Sequence, residues 1–160
     1  MNDFSQSLPL MLYRALDVVM PEFRKIFAEH GLTEQQWRIL RVLWEEDKQP
    51  LLIVAEKTLL PSPSLVGIVD RLERDGLVMR RRSQADRRVV FVSLTKAGAG
   101  LEEAVSPAVN AAYAALIKRV GSRKWHVLLT SLNALADSAP AGETKKTTKV
   151  TVNKSKPGRQ

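Results

Sequence analysis

The stretch SPSLVGIVDRLERDG, Ser62 to Gly76, followed at once by LVMRRRSQADRRVVFVSLTKAG, Leu77 to Gly98, decides how this chain is read. Its first half is bounded like a helix. Ser62 is a suitable N-cap, Pro63 fits the first helical position, where no amide partner is lost, and Gly76 suits a left-handed C-terminal cap. Within these limits Leu65, Ile68, Val69 and Leu72 recur at helical spacing as an apolar stripe. Ser64, Gly67, Arg71 and Arg74 fall on the opposite side, which is therefore small and basic.

The second half reads as two strands, Leu77 to Ser83 and Val89 to Leu94, rich in β-branched and apolar residues and joined by the polar turn Gln84 to Arg88. From Arg71 to Arg88 seven arginines stand against Glu73, Asp75 and Asp86. A basic hairpin thus follows directly on a helix with a small, basic face.

Working outward, Leu8, Met11, Leu12, Leu16, Val19, Met20, Phe23, Ile26 and Phe27 predict an amphipathic helix from Leu8 to His30, kinked or restarted at Pro21. Gly31 ends it. Thr33 and Gln36 form a capping-box pattern ahead of Trp37, Leu40, Leu43 and Trp44, a second helix reaching about Glu46. The apolar segment Leu51 to Leu60 is a short third helix. Beyond the hairpin, Thr95 caps a long helix with a kink expected at Pro107, and Ser122 caps a last helix through Leu128, Leu129, Leu132 and Leu135. The expected fold is mainly α with a small β-hairpin as its only sheet: a winged helix-turn-helix with N- and C-terminal dimerisation helices.

The chain has 160 residues, 44% of them hydrophobic and 26% charged, which fits one soluble domain, residues 1–140, followed by a tail. Dimerisation helices are expected at about 8–30 and 96–136, around a DNA-binding module at about 50–94. Of the net charge of +8, the stretch from Gly142 to Gln160 carries +5 and the rest +3. That stretch, within residues 141–160, has few large apolar side chains and reads as a disordered basic tail, either a solubilising extension or an arm that attracts phosphate. Cysteine is absent, so thiol nucleophiles, disulfides and thiolate metal sites are excluded, and His30 and His126 are far apart in sequence. No catalytic set, metal site or cofactor loop is found, so no enzyme is expected. The apolar run LPLMLY ends at Arg14, too short for a signal or a membrane span, and the expected location is the cytoplasm.

A helix suits the DNA major groove when its exposed face has small hydrogen-bonding residues near the N-terminus and cations further along. Ser62, Ser64, Gly67, Arg71 and Arg74 meet that description. Gly67 allows close backbone approach, and Val66 is placed for a thymine methyl. On the hairpin, Arg82, Arg87 and Arg88 suit phosphates or a narrow minor groove. Asp86 is either a turn-former or the partner that orients Arg88 or its neighbour. Small residues on a helix face also serve packing, and a basic tail and wing would equally serve a non-specific architectural DNA-binding protein.

The segment DRRVVFVSLTKAG, Asp86 to Gly98, resembles the wing signature of the MarR family, Asp-x-Arg followed by Leu-Thr-x-x-Gly. LTEQQWRILRVL, Leu32 to Leu43, and PSLVGIVDRLERDGLVMR, Pro63 to Arg80, are similar to the branch regulating homoprotocatechuate and related aromatic-acid degradation operons. The resemblance spans roughly Leu8 to Ala136. It implies a sequence-specific regulator, by default a repressor, that binds double-stranded DNA as a homodimer on a pseudo-palindromic operator and responds to a small aromatic carboxylic acid. Such an effector needs a cation in an apolar wall. Arg14, in the apolar first helix, and Trp37 with Arg38, opening the second, are the candidates, against core packing for Trp37 and solvation or local pairing for the arginines.

Overall fold

The chain is described here by a computed structural model covering residues 7–138, so the expected basic tail, residues 141–160, lies outside the described residues. The elements follow as α1 Leu8–Glu29, α2 Glu34–Glu45, β1 Gln49–Pro50, α3 Leu51–Thr58, α4 Ser62–Arg74, β2 Val78–Arg82, β3 Val90–Leu94, α5 Lys96–Val120 and α6 Ser122–Asp137. Two helix ends close in the same way. The Leu32 N–H donates to the Phe27 carbonyl at 2.9 Å and the Leu77 N–H to the Leu72 carbonyl at 2.9 Å, each passing through a left-handed glycine. Gly31 has φ +70° and Gly76 φ +71°, the region that residues with a Cβ enter only at a cost. Thr33 and Gln36 form the reciprocal cap: Thr33 Oγ1 accepts from the Gln36 N–H at 3.2 Å and Gln36 Oε1 from the Thr33 N–H at 2.9 Å.

Several expectations need correction. The helix α1 runs through Pro21 without a restart, and α5 likewise runs through Pro107. Buried Phe23, Ile26 and Phe27 hold α1 beyond Pro21, and buried Val105 and Val109 hold α5 on either side of Pro107. The helix α4 begins one residue earlier than expected: Pro61 is its N-cap and Ser62 makes no side-chain cap. The Leu65 N–H is already satisfied by the Pro61 carbonyl at 3.0 Å, which leaves the Ser62 hydroxyl on the exposed face. Ser122 likewise starts α6 rather than capping it, the N-cap being Gly121.

The hairpin is also not the whole sheet. Strand order is β1-β3-β2, all antiparallel, with Gln49 opposite Val92 and Pro50 opposite Phe91. On the other side Val78 pairs with Leu94 and Arg82 with Val90. Thus β3 is the central strand, and the α2–α3 connection is stitched to the wing. Asp47 adds to this by accepting the Leu94 N–H at 2.8 Å.

The core runs through α2, where Ile39, Leu40 and Leu43 are almost fully buried against Val54 of α3, Leu65, Val69 and Leu72 of α4, Val78 and Val92 of the sheet and Val105 of α5. The outer ends differ. Leu8, Met11, Leu12 and Leu16 of α1 and Val127, Leu128 and Leu135 of α6 are exposed, and α6 has no buried residue. Apolar faces of this extent require a partner surface.

Candidate nucleic-acid interface

The apolar stripe on α4 fixes which side of the helix faces out. With Leu65, Ile68, Val69 and Leu72 buried, Ser62, Ser64, Val66, Arg71 and Arg74 are exposed and Gly67 is half-buried. Because Pro61 is the cap and no side chain closes the first turn, the backbone N–H groups of Ser62 and Ser64 point outward with no intrahelical partner. This end of the helix therefore presents two hydroxyls, two amide donors and the positive end of the helix dipole to an anion.

The wing tip is built by short local bonds. The Ser83 N–H donates to the Val89 carbonyl at 2.9 Å, and Ser83 Oγ accepts from the amides of Ala85 at 3.2 Å and Asp86 at 3.3 Å. Asp86 Oδ1 accepts the Arg88 backbone N–H at 2.9 Å. Asp86 thus orders the turn through the main chain and leaves the Arg88 guanidinium unpaired, which is the turn-forming role and not a pair with the arginine side chain. Arg82, Arg87 and Arg88 are exposed.

A cleft of about 480 Å³ between α3, the start of α4 and the wing brings together Ser62, Val66 and Arg88, with Leu51 and Leu52 as its apolar wall. Helix and wing are joined on their inner side by Arg80. Its guanidinium meets Asp70 Oδ1 at 2.6 Å and Glu73 Oε2 at 2.6 Å, and its backbone N–H donates to Glu73 Oε1 at 3.1 Å. The hydrogen bonds its side chain donates to Glu73 raise the Arg80 pKa above its ordinary value. Sequence reading counted Arg80 only among the arginines of the ribbon. The spacing of Asp70 and Glu73 on one helical turn was the signal that it had a fixed acidic partner.

The cations divide into two groups. Arg24, Arg38, Arg41, Lys57 and Arg80 are each ion-paired, whereas among the described residues Arg71, Arg74, Arg82, Arg87 and Arg88 have no carboxylate within 4.0 Å. Every arginine nominated for DNA falls in the second group, which also holds Arg14, Lys25, Lys48, Arg81, Lys96, Lys118, Arg119, Arg123 and Lys124; what sets the nominated five apart is that, with Arg81 beside them, they lie together on α4 and the wing.

Against this geometry stand the comparisons with known proteins. Residues 22–105 match the family of transcriptional regulators SarA/Rot. The homoprotocatechuate degradative operon repressor of Escherichia coli is 41% identical over 107 residues, covering 67% of this chain and 72% of that protein. The chain belongs to the SarA/Rot family of MarR-like winged-helix transcriptional regulators. Among solved structures, NadR in complex with 4-hydroxyphenylacetate superposes with a TM-score of 0.74 at 34% identity, covering 87% of this chain and 99% of NadR. The repressor CouR, bound to a 23-mer DNA duplex, superposes with a TM-score of 0.78 at 28% identity, covering 85% of this chain and 96% of CouR. Family members of this kind are dimeric DNA-binding regulators.

The residues nominated for an effector are not gathered in one place. Trp37 is half-buried, stacked on Phe27 with ring centroids 4.6 Å apart and edge-on to Trp44 at 5.1 Å. Arg38 is engaged by Glu34 at 3.0 Å and reaches the Thr58 carbonyl at 3.4 Å. Arg14 is exposed on α1, thirteen positions before Phe27, or about 20 Å at 1.5 Å per residue. Within one protomer Arg14 thus lies several helical turns along α1 from the Phe27–Trp37 stack. Among the described residues no single helix is long and apolar enough to cross a membrane.

Proposed function

We propose that this regulator is a cytoplasmic, non-enzymatic repressor of an operon for aromatic-compound degradation, held on a pseudo-palindromic operator and released by a small aromatic carboxylic acid. The observation that carries the reading is the set of unpaired arginines on α4 and the wing, on a fold whose relative CouR is described as bound to a DNA duplex. Ser62, Ser64, Val66 and Gly67 take the base edges, Arg71 and Arg74 the flanking phosphates, and Arg82, Arg87 and Arg88 the wing contacts. A two-fold dimer presents two reading helices, so half-sites lie roughly 10 base pairs apart.

The aromatic-acid assignment is supported by the names of the relatives, a homoprotocatechuate operon repressor and a NadR complex with 4-hydroxyphenylacetate. In this chain the aromatic wall is Phe27, Trp37 and Trp44, packed where α1 meets α2. A ligand seated there biases the spacing of the two reading helices only by its differential affinity for their arrangements. The test is operator selection from random duplexes, then titration at about 150 mM salt against scrambled DNA. A pseudo-palindrome preferred roughly a thousandfold, and released by 4-hydroxyphenylacetate with a change in Trp37 fluorescence, is the expected result. Equal binding to scrambled DNA would instead identify an architectural protein.

A further inference from the structure

The reading helix has an internal conflict. Asp70 and Glu73 alternate with Arg71 and Arg74 along α4, and Asp70 stands four residues before Arg74, a spacing at which a carboxylate captures a cation on the same helix. A reading helix that paired its own arginines in this way would offer little charge to phosphate. It would also carry carboxylates close to a polyanion.

In the structure the Asp70–Arg74 capture does not occur. Both acidic groups are turned to Arg80 of β2, Asp70 at 2.6 Å and Glu73 at 2.6 Å, with a further bond from Arg80 Nε to Glu73 Oε2 at 2.9 Å. A guanidinium is suited to this because its planar fork serves two carboxylates at once, which an ammonium does less well. All three guanidinium nitrogens of Arg80 are committed toward α4, and its side chain is only 30% exposed. The arginines it leaves unpaired, Arg71 and Arg74, are both exposed.

We propose that Arg80 is a positioning residue for DNA binding: it holds Asp70 away from Arg74, offsets the charge of Glu73 beside it, and does not itself touch DNA. This rests on the assignment of α4 and the wing as the DNA-contacting surface. The experiment is a double-mutant cycle on the full chain, measuring operator affinity, its salt dependence and the thermal midpoint for wild type, R80M, D70N/E73Q and D70N/E73Q/R80M.

Arg80→Met in the wild-type background is expected to weaken operator binding about tenfold and to flatten the slope of log affinity against log salt by about one contact. In the D70N/E73Q background the same change is expected to cost less than about threefold and to leave the slope intact, because no carboxylate remains to capture the reading cations. R80K is expected to fall between wild type and R80M. An equal loss in both backgrounds would overturn the proposal and make Arg80 a phosphate contact. So would a loss in both that follows the thermal midpoint, which would make Arg80 a structural tie only. R71A/R74A separates failure of the underlying assignment: if it leaves operator affinity unchanged, α4 is not the reading helix, whatever Arg80 does.

Discussion

Gly98 is the point at which the start of α5 is pressed against the start of β2, and a single methyl group there has a calculable effect. A Cβ at this position would overlap the Leu77 carbonyl and approach Leu94 Cδ2 to 3.3 Å. The obstruction is backbone, so relief requires α5 to move away from the wing. That movement strains three bonds: Trp44 Nε1 to the Gly98 carbonyl at 2.9 Å, the Gly98 N–H to Thr95 Oγ1 at 3.1 Å, and the Thr95 N–H to the Leu77 carbonyl at 3.0 Å. With about 1 kcal/mol for each bond weakened and about 1–3 kcal/mol for overpacking, less about 1 kcal/mol for alanine's better helix propensity, the net loss is about 3–5 kcal/mol. For a domain of this size that lowers the thermal midpoint by roughly 6–20 °C. Gly100 supplies the control. It lies two residues further along the same helix, and a Cβ there meets nothing within 4 Å. Gly100→Ala is expected to stabilise by up to about 1 kcal/mol. Thermal unfolding followed by circular dichroism, with tryptophan emission as a second probe for Trp44, compares the two. A G98A protein that melts with the wild type, or a G100A protein that loses as much as G98A, would refute the reasoning.

The remaining predictions concern the wing, the core and pH. R87A and R88A are each expected to weaken binding to operator and to scrambled DNA alike and to reduce the salt slope by about one, in titrations from low to moderate salt. Leu72→Ala removes a fully buried side chain between α2, α4 and the sheet and is expected to cost about 2–5 kcal/mol in urea unfolding, with an unchanged cost at exposed Leu52→Ala near zero. The Glu46 carboxyl is held below the usual range by its hydrogen bond from Lys57, at 3.0 Å, and by Gln49. A carboxyl whose folded-state pKa is depressed favours the fold above its unfolded value and loses that contribution as pH falls through the folded one. NMR titration should therefore place Glu46 below the usual carboxylate range in the wild type, and nearer to it in the K57M variant.

Much of this fold was legible because local rules agreed with the global packing. The stripe Leu65, Ile68, Val69 and Leu72 was read as an inward face and is buried, and Thr33 with Gln36 was read as a capping box and forms one. The misreadings share a cause. Ser62 and Ser122 are good caps in isolation, but Pro61 and Gly121 already had the extended or left-handed backbone that starts each helix, so the serines became first helical residues. Gln49 and Pro50 form a strand too short for any alternation, visible only through their partners Val92 and Phe91. For the site, exposed small and basic residues on α4 and the wing could be read from spacing. That Arg80 turns inward while Arg82 does not depends on the tertiary position of Asp70 and Glu73.

The strand order β1-β3-β2 leaves β2 as one open margin of the sheet, and Met79, Arg81 and Arg82 are exposed along it. An unpaired strand margin is a template on which another chain can add, and repeated cations are among the devices that keep such margins from joining. The opposite margin is only the two residues of β1, one of them a proline with no N–H to offer. Substituting Arg81 and Arg82 by threonine would thus remove charge from the DNA-facing wing and at the same time leave a bare β margin, so a loss of soluble protein at high concentration is the expected companion of the loss of DNA affinity.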